Sequence, residues 1–78
     1  LPQQTNKITE IMTTTIYTYE TSKGINTESF TSNGYVTLER NGLHVYEHHF
    51  GSLTIKLQEQ ILVKELESRN IKYTKVNN

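Results

Sequence analysis

The chain contains no cysteine, no aspartate, no alanine and no tryptophan, and only one proline. Without cysteine there can be no disulfide, thiol nucleophile, iron–sulfur cluster or Cys-containing zinc site, and a reducing, cytoplasmic setting is the expectation. Without aspartate, acid–base work falls to Glu, His, Lys and Tyr. No apolar run approaches the ~18–20 residues of a membrane span, and the opening Leu1-Pro2-Gln3-Gln4 lacks the charged start and apolar centre of a signal peptide, so no membrane partner is expected. The first residue is not Met, which suggests a processed product or a fragment, or a start at Met12. Eight basic and eight acidic residues cancel, and no window holds a charge run that would mark an interaction tail.

What is present is a lean but sufficient apolar fraction. Leu, Ile, Val and Phe total 20 of 78 residues, above the ~20% below which disorder is expected at high net charge. A chain this short fills one core. Twelve Thr and seven Asn stand where Ala and Asp are missing, a bias toward AT-rich codons of the sort found in many mobile elements.

Residues 1–8 are polar and are expected to be loose, leaving 9–78 as a single α+β domain. "TEIMTTTIYTYE" is dense in Thr, Ile and Tyr and predicts a strand at about 10–20. Turn residues at Lys23-Gly24 and Ser32-Asn33-Gly34 bracket a second strand at 25–31. Asn41-Gly42 is the strongest local signal, because a two-residue type I′ turn needs φ > 0 at both positions. Counting outward from it pairs Leu38 with Val45 and Val36 with Glu47 on one face, and Glu39 with His44, Thr37 with Tyr46 and Tyr35 with His48 on the other. The aliphatic set is then the core face. A three-residue loop at 32–34 pairs Phe30 with Val36 and adds Phe30 to that face. From Thr54 to Arg69 the period changes to that of an amphipathic helix, with Ile55, Ile61, Leu62 and Leu66 inward, Asn70 at C′ and a Glu65–Arg69 pair. "IKYTKV" at 71–76 alternates as a last strand. The fold expected is α+β: an antiparallel meander of three to four strands, one helix packed on the Val36, Leu38, Leu43, Val45 face, and a short C-terminal strand.

All three histidines lie in "YVTLERNGLHVYEHHF", and imidazole is a common metal ligand. Strand alternation sends His48 and His49 to opposite faces, so they cannot share an ion. Glu39 beside His44 supplies only two ligands, and no metal site is expected. As an acid–base pair, Glu39 and His44 would be exposed, contributing a few tenths of a kcal/mol to the sheet rather than catalysis. No phosphate-binding glycine loop and no HExxH motif is present. Neither an enzyme nor a cofactor is expected.

What remains is the outer face of the hairpin, where Tyr35, Glu39, His44, Tyr46 and His48 are expected together, with Phe50 continuing the row. Stiff aromatic and imidazole side chains with polar tips suit contact with another protein. The alternative is a face covered by the N-terminal segment or by Tyr17 and Tyr19, or simply solvated. Three roles follow. The first is a small non-enzymatic protein-binding module, for example a regulator or inhibitor of a larger protein. The second is a nucleic-acid-binding protein using the strand face of 35–50; it has few arginines, only Arg40 and Arg69, but aromatic rings able to stack on bases. The third is a homo-oligomer, which would account for the aromatic face with no outside partner.

Overall fold

A computed structural model describes residues 11–78; the segment 1–8 expected to be loose lies outside them. The elements are β1 (Thr14–Thr21), β2 (Gly24–Thr31), β3 (Tyr35–Arg40), β4 (Leu43–His49), α1 (Ile55–Ser68) and β5 (Tyr73–Asn77). They form one antiparallel sheet in the order β4-β3-β2-β1-β5 with a single helix. The α+β expectation is met. The C-terminal strand does return to the sheet, pairing with β1 at the far edge from β4.

The turns carry the topology. Asn41 (φ 53°) and Gly42 (φ 82°) both adopt the left-handed conformation that a two-residue hairpin requires. Asn41 does more: its N–H donates to the Ile25 carbonyl at 2.8 Å and its Oδ1 accepts the Ile25 N–H at 2.9 Å, extending the β2–β3 ladder past Arg40. The three-residue loop at 32–34 sets Phe30 opposite Val36 as expected. Gly34 sits at φ 104° with its α-carbon against the Gly51 backbone, where no side chain would fit.

One side of the sheet packs on α1. Tyr17, Phe30 and Val36 form a buried cluster with Ile55, flanked by half-buried Tyr19, Tyr46, Leu62, Val63 and Tyr73; Leu38 and Leu66 are buried as well. Strand alternation adds Asn26 and Glu28 to this side, both buried. The helix lies nearest β2, the middle strand. Its buried stripe is Ile55, Glu59 and Leu66, so Glu59 takes the place expected of Ile61, which is half exposed. At the helix end Asn70 has φ 56°, and the Ile71 N–H donates to the Leu66 carbonyl at 2.9 Å, the closure expected for a left-handed C′ residue. Thr54 is the N-cap without a capping bond; its hydroxyl donates instead to the Phe50 carbonyl at 2.6 Å.

The β3–β4 register departs from simple counting. Arg40 pairs with Leu43 and Glu39 with His44, but Leu38 then faces Tyr46, Thr37 faces Glu47, Val36 faces His48 and Tyr35 faces His49. Val45 is the extra residue of a β-bulge, and every β4 side chain beyond it changes face relative to the uninterrupted ladder. Leu43 and Val45, expected in the core, are exposed.

With six buried apolar residues among those described, each contributing about 1.5–3 kcal/mol, the loop that anchors Gly34 to Gly51 cannot be disturbed cheaply. Gly34→Ala places a Cβ in the Gly51 backbone at a φ that alanine resists. It should lower stability by about 2 kcal/mol or more in urea denaturation, and a loss below ~0.5 kcal/mol would contradict this packing.

Candidate binding surface

The bulge divides the six candidate residues between two surfaces. Tyr35, Glu39 and His44 lie on the open face of the sheet, whereas Tyr46 and His48 turn to the helix side, where Phe50 continues the row. The single aromatic outer face expected from the turn is therefore not formed.

On the open face, cross-strand rows follow from the register. One runs His44, Glu39, Thr27, Thr18, Thr74; the next Glu47, Thr37, Ser29, Ile16, Val76; the third His49, Tyr35, Thr31, Thr14. Tyr35 and His49 stack with ring centroids 4.4 Å apart, and His49 Nε2 lies 3.3 Å from the Asn33 carbonyl. The described strands place Glu20, Glu39 and Glu47 on this face and no Lys or Arg. It is a hydroxyl-rich, mildly acidic surface.

On the helix side, the Tyr46 hydroxyl donates to Glu28 at 3.3 Å and the Tyr19 hydroxyl donates to the same carboxylate at 2.8 Å. Two donors on one buried carboxylate satisfy it without a counter-ion. A second tyrosine–carboxylate bond ties helix to sheet: the Tyr17 hydroxyl donates to Glu59 Oε2 at 2.5 Å, with Lys75 Nζ 3.8 Å from the same oxygen and Lys56 Nζ 3.9 Å from Oε1. Arg40 Nε donates to buried Asn26 at 3.0 Å. Burial and the neighbouring carboxylates raise all three tyrosines above the usual phenol range; burial pushes Tyr19 up to about 12, and it pushes Tyr17 and Tyr46 up in the same way.

The two flanks of the helix differ. Toward β5 a cleft of about 400 Å³ is lined by Tyr17, Lys56, Glu59, Val63, Lys64 and Lys75, and its central carboxylate is already engaged by Tyr17 and two lysines. Toward β4 a groove of about 240 Å³ has Phe30 and Val36 at its base, and Tyr46, His48, Phe50, Ile61 and Leu62 along its sides, with Glu28 and Glu65. His48 links Tyr46 and Phe50, its ring centroid 4.8 Å from one and 5.9 Å from the other. Exposed Leu57, one turn from Ile61, extends the apolar surface along the outer side of the helix, and Leu53 in the turn before it is also exposed. Sequence reasoning assigned Ile61 to the core and passed over Leu53 and Leu57. The signal was the buried spacing 55, 59, 62, 66, which leaves 57 and 61 outside it. Among the described residues no group of three or more His or Glu side chains is placed to hold a metal ion, and no helix is long and apolar enough to cross a membrane.

Fold and surface together define a small α+β domain with an aromatic-edged groove between its helix and β4. No family model matches the sequence, no curated protein matches it, and no solved structure matches it.

Two measurements check the tyrosine–carboxylate core. Tyr17→Phe removes the donor from buried Glu59 and should cost about 1–3 kcal/mol in urea denaturation; an unchanged midpoint would show that the lysines suffice. Because the folded pKa values of Tyr17, Tyr19 and Tyr46 lie above the unfolded value of 10.0, the native state resists their ionisation. That contribution is fully present below pH 10 and is lost as pH rises through about 12. The urea midpoint should fall steeply across that window, with tyrosinate absorbance developing alongside unfolding; full tyrosinate absorbance in a still-folded protein at pH 10.5 would contradict it.

Proposed function

We propose that this protein is a small non-enzymatic protein-binding module, a regulator or inhibitor that docks on a larger protein through the groove between α1 and β4. The observation that carries this reading is the exposed pair Phe50 and Ile61 beside Tyr46 and His48 in the groove, with Leu57 exposed one helical turn from Ile61, on a molecule with few apolar residues to spare. Exposed apolar side chains gathered beside a concavity mark contact sites, where singly scattered ones do not. Aromatic anchors flanked by polar groups are also the composition of an interface centre.

Catalysis has less support, since both oxygens of Glu28 accept from tyrosine hydroxyls and those of Glu59 are engaged by Tyr17, Lys75 and Lys56. Nucleic-acid binding on the strand face of residues 35–50 also has less support. The open part of that face carries Glu39 and Glu47, and phosphate recognition needs cations there.

With the protein as bait in a source-cell lysate, a stoichiometric protein partner should be retained. Phe50→Ala should reduce its retention at least tenfold while Glu39→Gln on the open face leaves it unchanged. Equal loss in both variants, or retention unaffected by Phe50→Ala, would remove the groove from the account.

A further inference from the structure

The groove and the outer side of the helix are a matched pair, and we infer that in the free protein the occupant of the groove is a second copy of this chain. The inference rests on the reading of the groove as a docking site and adds what fills it before a partner arrives.

Five strands spaced ~4.8 Å apart make a sheet about twice as wide as one helix, and α1 lies over the middle strand. On the β5 side the remaining strip holds a cleft whose central carboxylate, Glu59, is engaged by Lys56 and Lys75. On the β4 side the concavity is floored by Phe30 and Val36 and edged by Tyr46, His48, Phe50 and Ile61. The outward side of the helix, where a monomer would carry charge, bears Leu57 and Ile61. Each molecule thus presents a ridge and a concavity, the requirement for an isologous contact in which each copy's ridge enters the other's groove. A two-fold axis running roughly along the helices, with the helix layers facing, satisfies this. It sets Leu57 and Ile61 of each copy between α1 and β4 of the other.

The exposed apolar area agrees with that arrangement. Leu53, Leu57, Ile61, Phe50 and Leu43 are 97, 54, 52, 40 and 73% exposed, equivalent to about three whole apolar side chains per copy. At roughly 100 Å² of apolar surface each, and with apolar atoms near 60% of an interface, two copies would bury about 1,000 Å². That meets the lower limit for a specific but weak association. A dimer dissociable in the micromolar range is the consequence, and such a dimer keeps the groove covered yet yields it to a tighter partner.

Sedimentation equilibrium over about 1–500 µM tests this. The apparent mass should rise from the 9.1 kDa of one chain toward twice that value. Leu57→Glu, at an exposed site, should keep the native circular dichroism spectrum and weaken association at least tenfold. As an independent readout, amide chemical shifts on dilution should move at residues 43–50 and along the outer side of α1, and not at β5. A constant monomer mass, or dilution shifts confined to the β5 edge, would overturn the inference. If the protein is monomeric at every concentration but a lysate partner is still lost in Phe50→Ala, the self-association fails while the docking groove stands. If the lysate partner is also indifferent to Phe50→Ala, both fail.

Discussion

The single extra residue in β4 decides what each surface of this protein is made of. Without the bulge at Val45, the Asn41-Gly42 turn would send Val45 inward opposite Leu38 and leave Tyr46 and His48 on the open face; Leu43, before the bulge, keeps its pairing with Arg40 either way. With it, the turn keeps its favoured geometry for the first two pairs, and the ladder then slips by one. Tyr46 comes to lie beside Glu28 with its hydroxyl as second donor to a buried carboxylate. An aliphatic side chain there would give Glu28 nothing, and an under-satisfied buried carboxylate is costlier than one exposed valine.

That trade recurs through the core. With few large apolar residues, the interior uses tyrosines, whose rings supply buried area and whose hydroxyls occupy Glu28 and Glu59. Tyr17 shows the economy most clearly: its ring meets Phe30 edge-on at 5.7 Å and Tyr73 at 5.6 Å while its hydroxyl holds the helix through Glu59. Such pairs are directional, so they fix the helix over β2 instead of letting it slide on a greasy surface. A helix held over the middle strand leaves a strip uncovered on each side. The strips differ in chemistry: toward β5 the cleft is centred on the Glu59 carboxylate and its two lysines, and toward β4 the groove is floored by Phe30 and Val36 and edged by aromatic rings.

Much of the fold was legible because turn chemistry is local. Asn41-Gly42, Gly34 and Asn70 each require a left-handed residue, and each marks a boundary that the structure keeps; the helix is off by one residue at either end and the last strand starts two later. The bulge was not legible, because no residue in Leu43–Tyr46 demands it. Its cause lies fourteen or more positions away, in the in-facing Glu28 between Asn26 and Phe30, whose need for donors becomes visible only once β2, β3 and β4 are side by side. The candidate residues were divided between two faces for the same reason: a one-residue slip exchanges faces for the rest of the strand, so Tyr46, His48 and Phe50 lie on the helix side and Tyr35, Glu39 and His44 do not. The helix shows a milder form of this ambiguity. Two apolar stripes, 55-62-66 and 57-61, are both compatible with its sequence, and Glu59 selects the first by finding Tyr17.

The account stands on the direction in which Tyr46 points. Nuclear Overhauser contacts of its ring, measured in the free protein at neutral pH, address this most directly. Contacts from the Tyr46 ring to Leu62 and to the Leu38 side chain are expected, along with contacts between Val36 and His48. Contacts from the Tyr46 ring to Thr37 and Ser29, with Val45 packed on Leu38 in its place, would mean an uninterrupted ladder and would contradict the account.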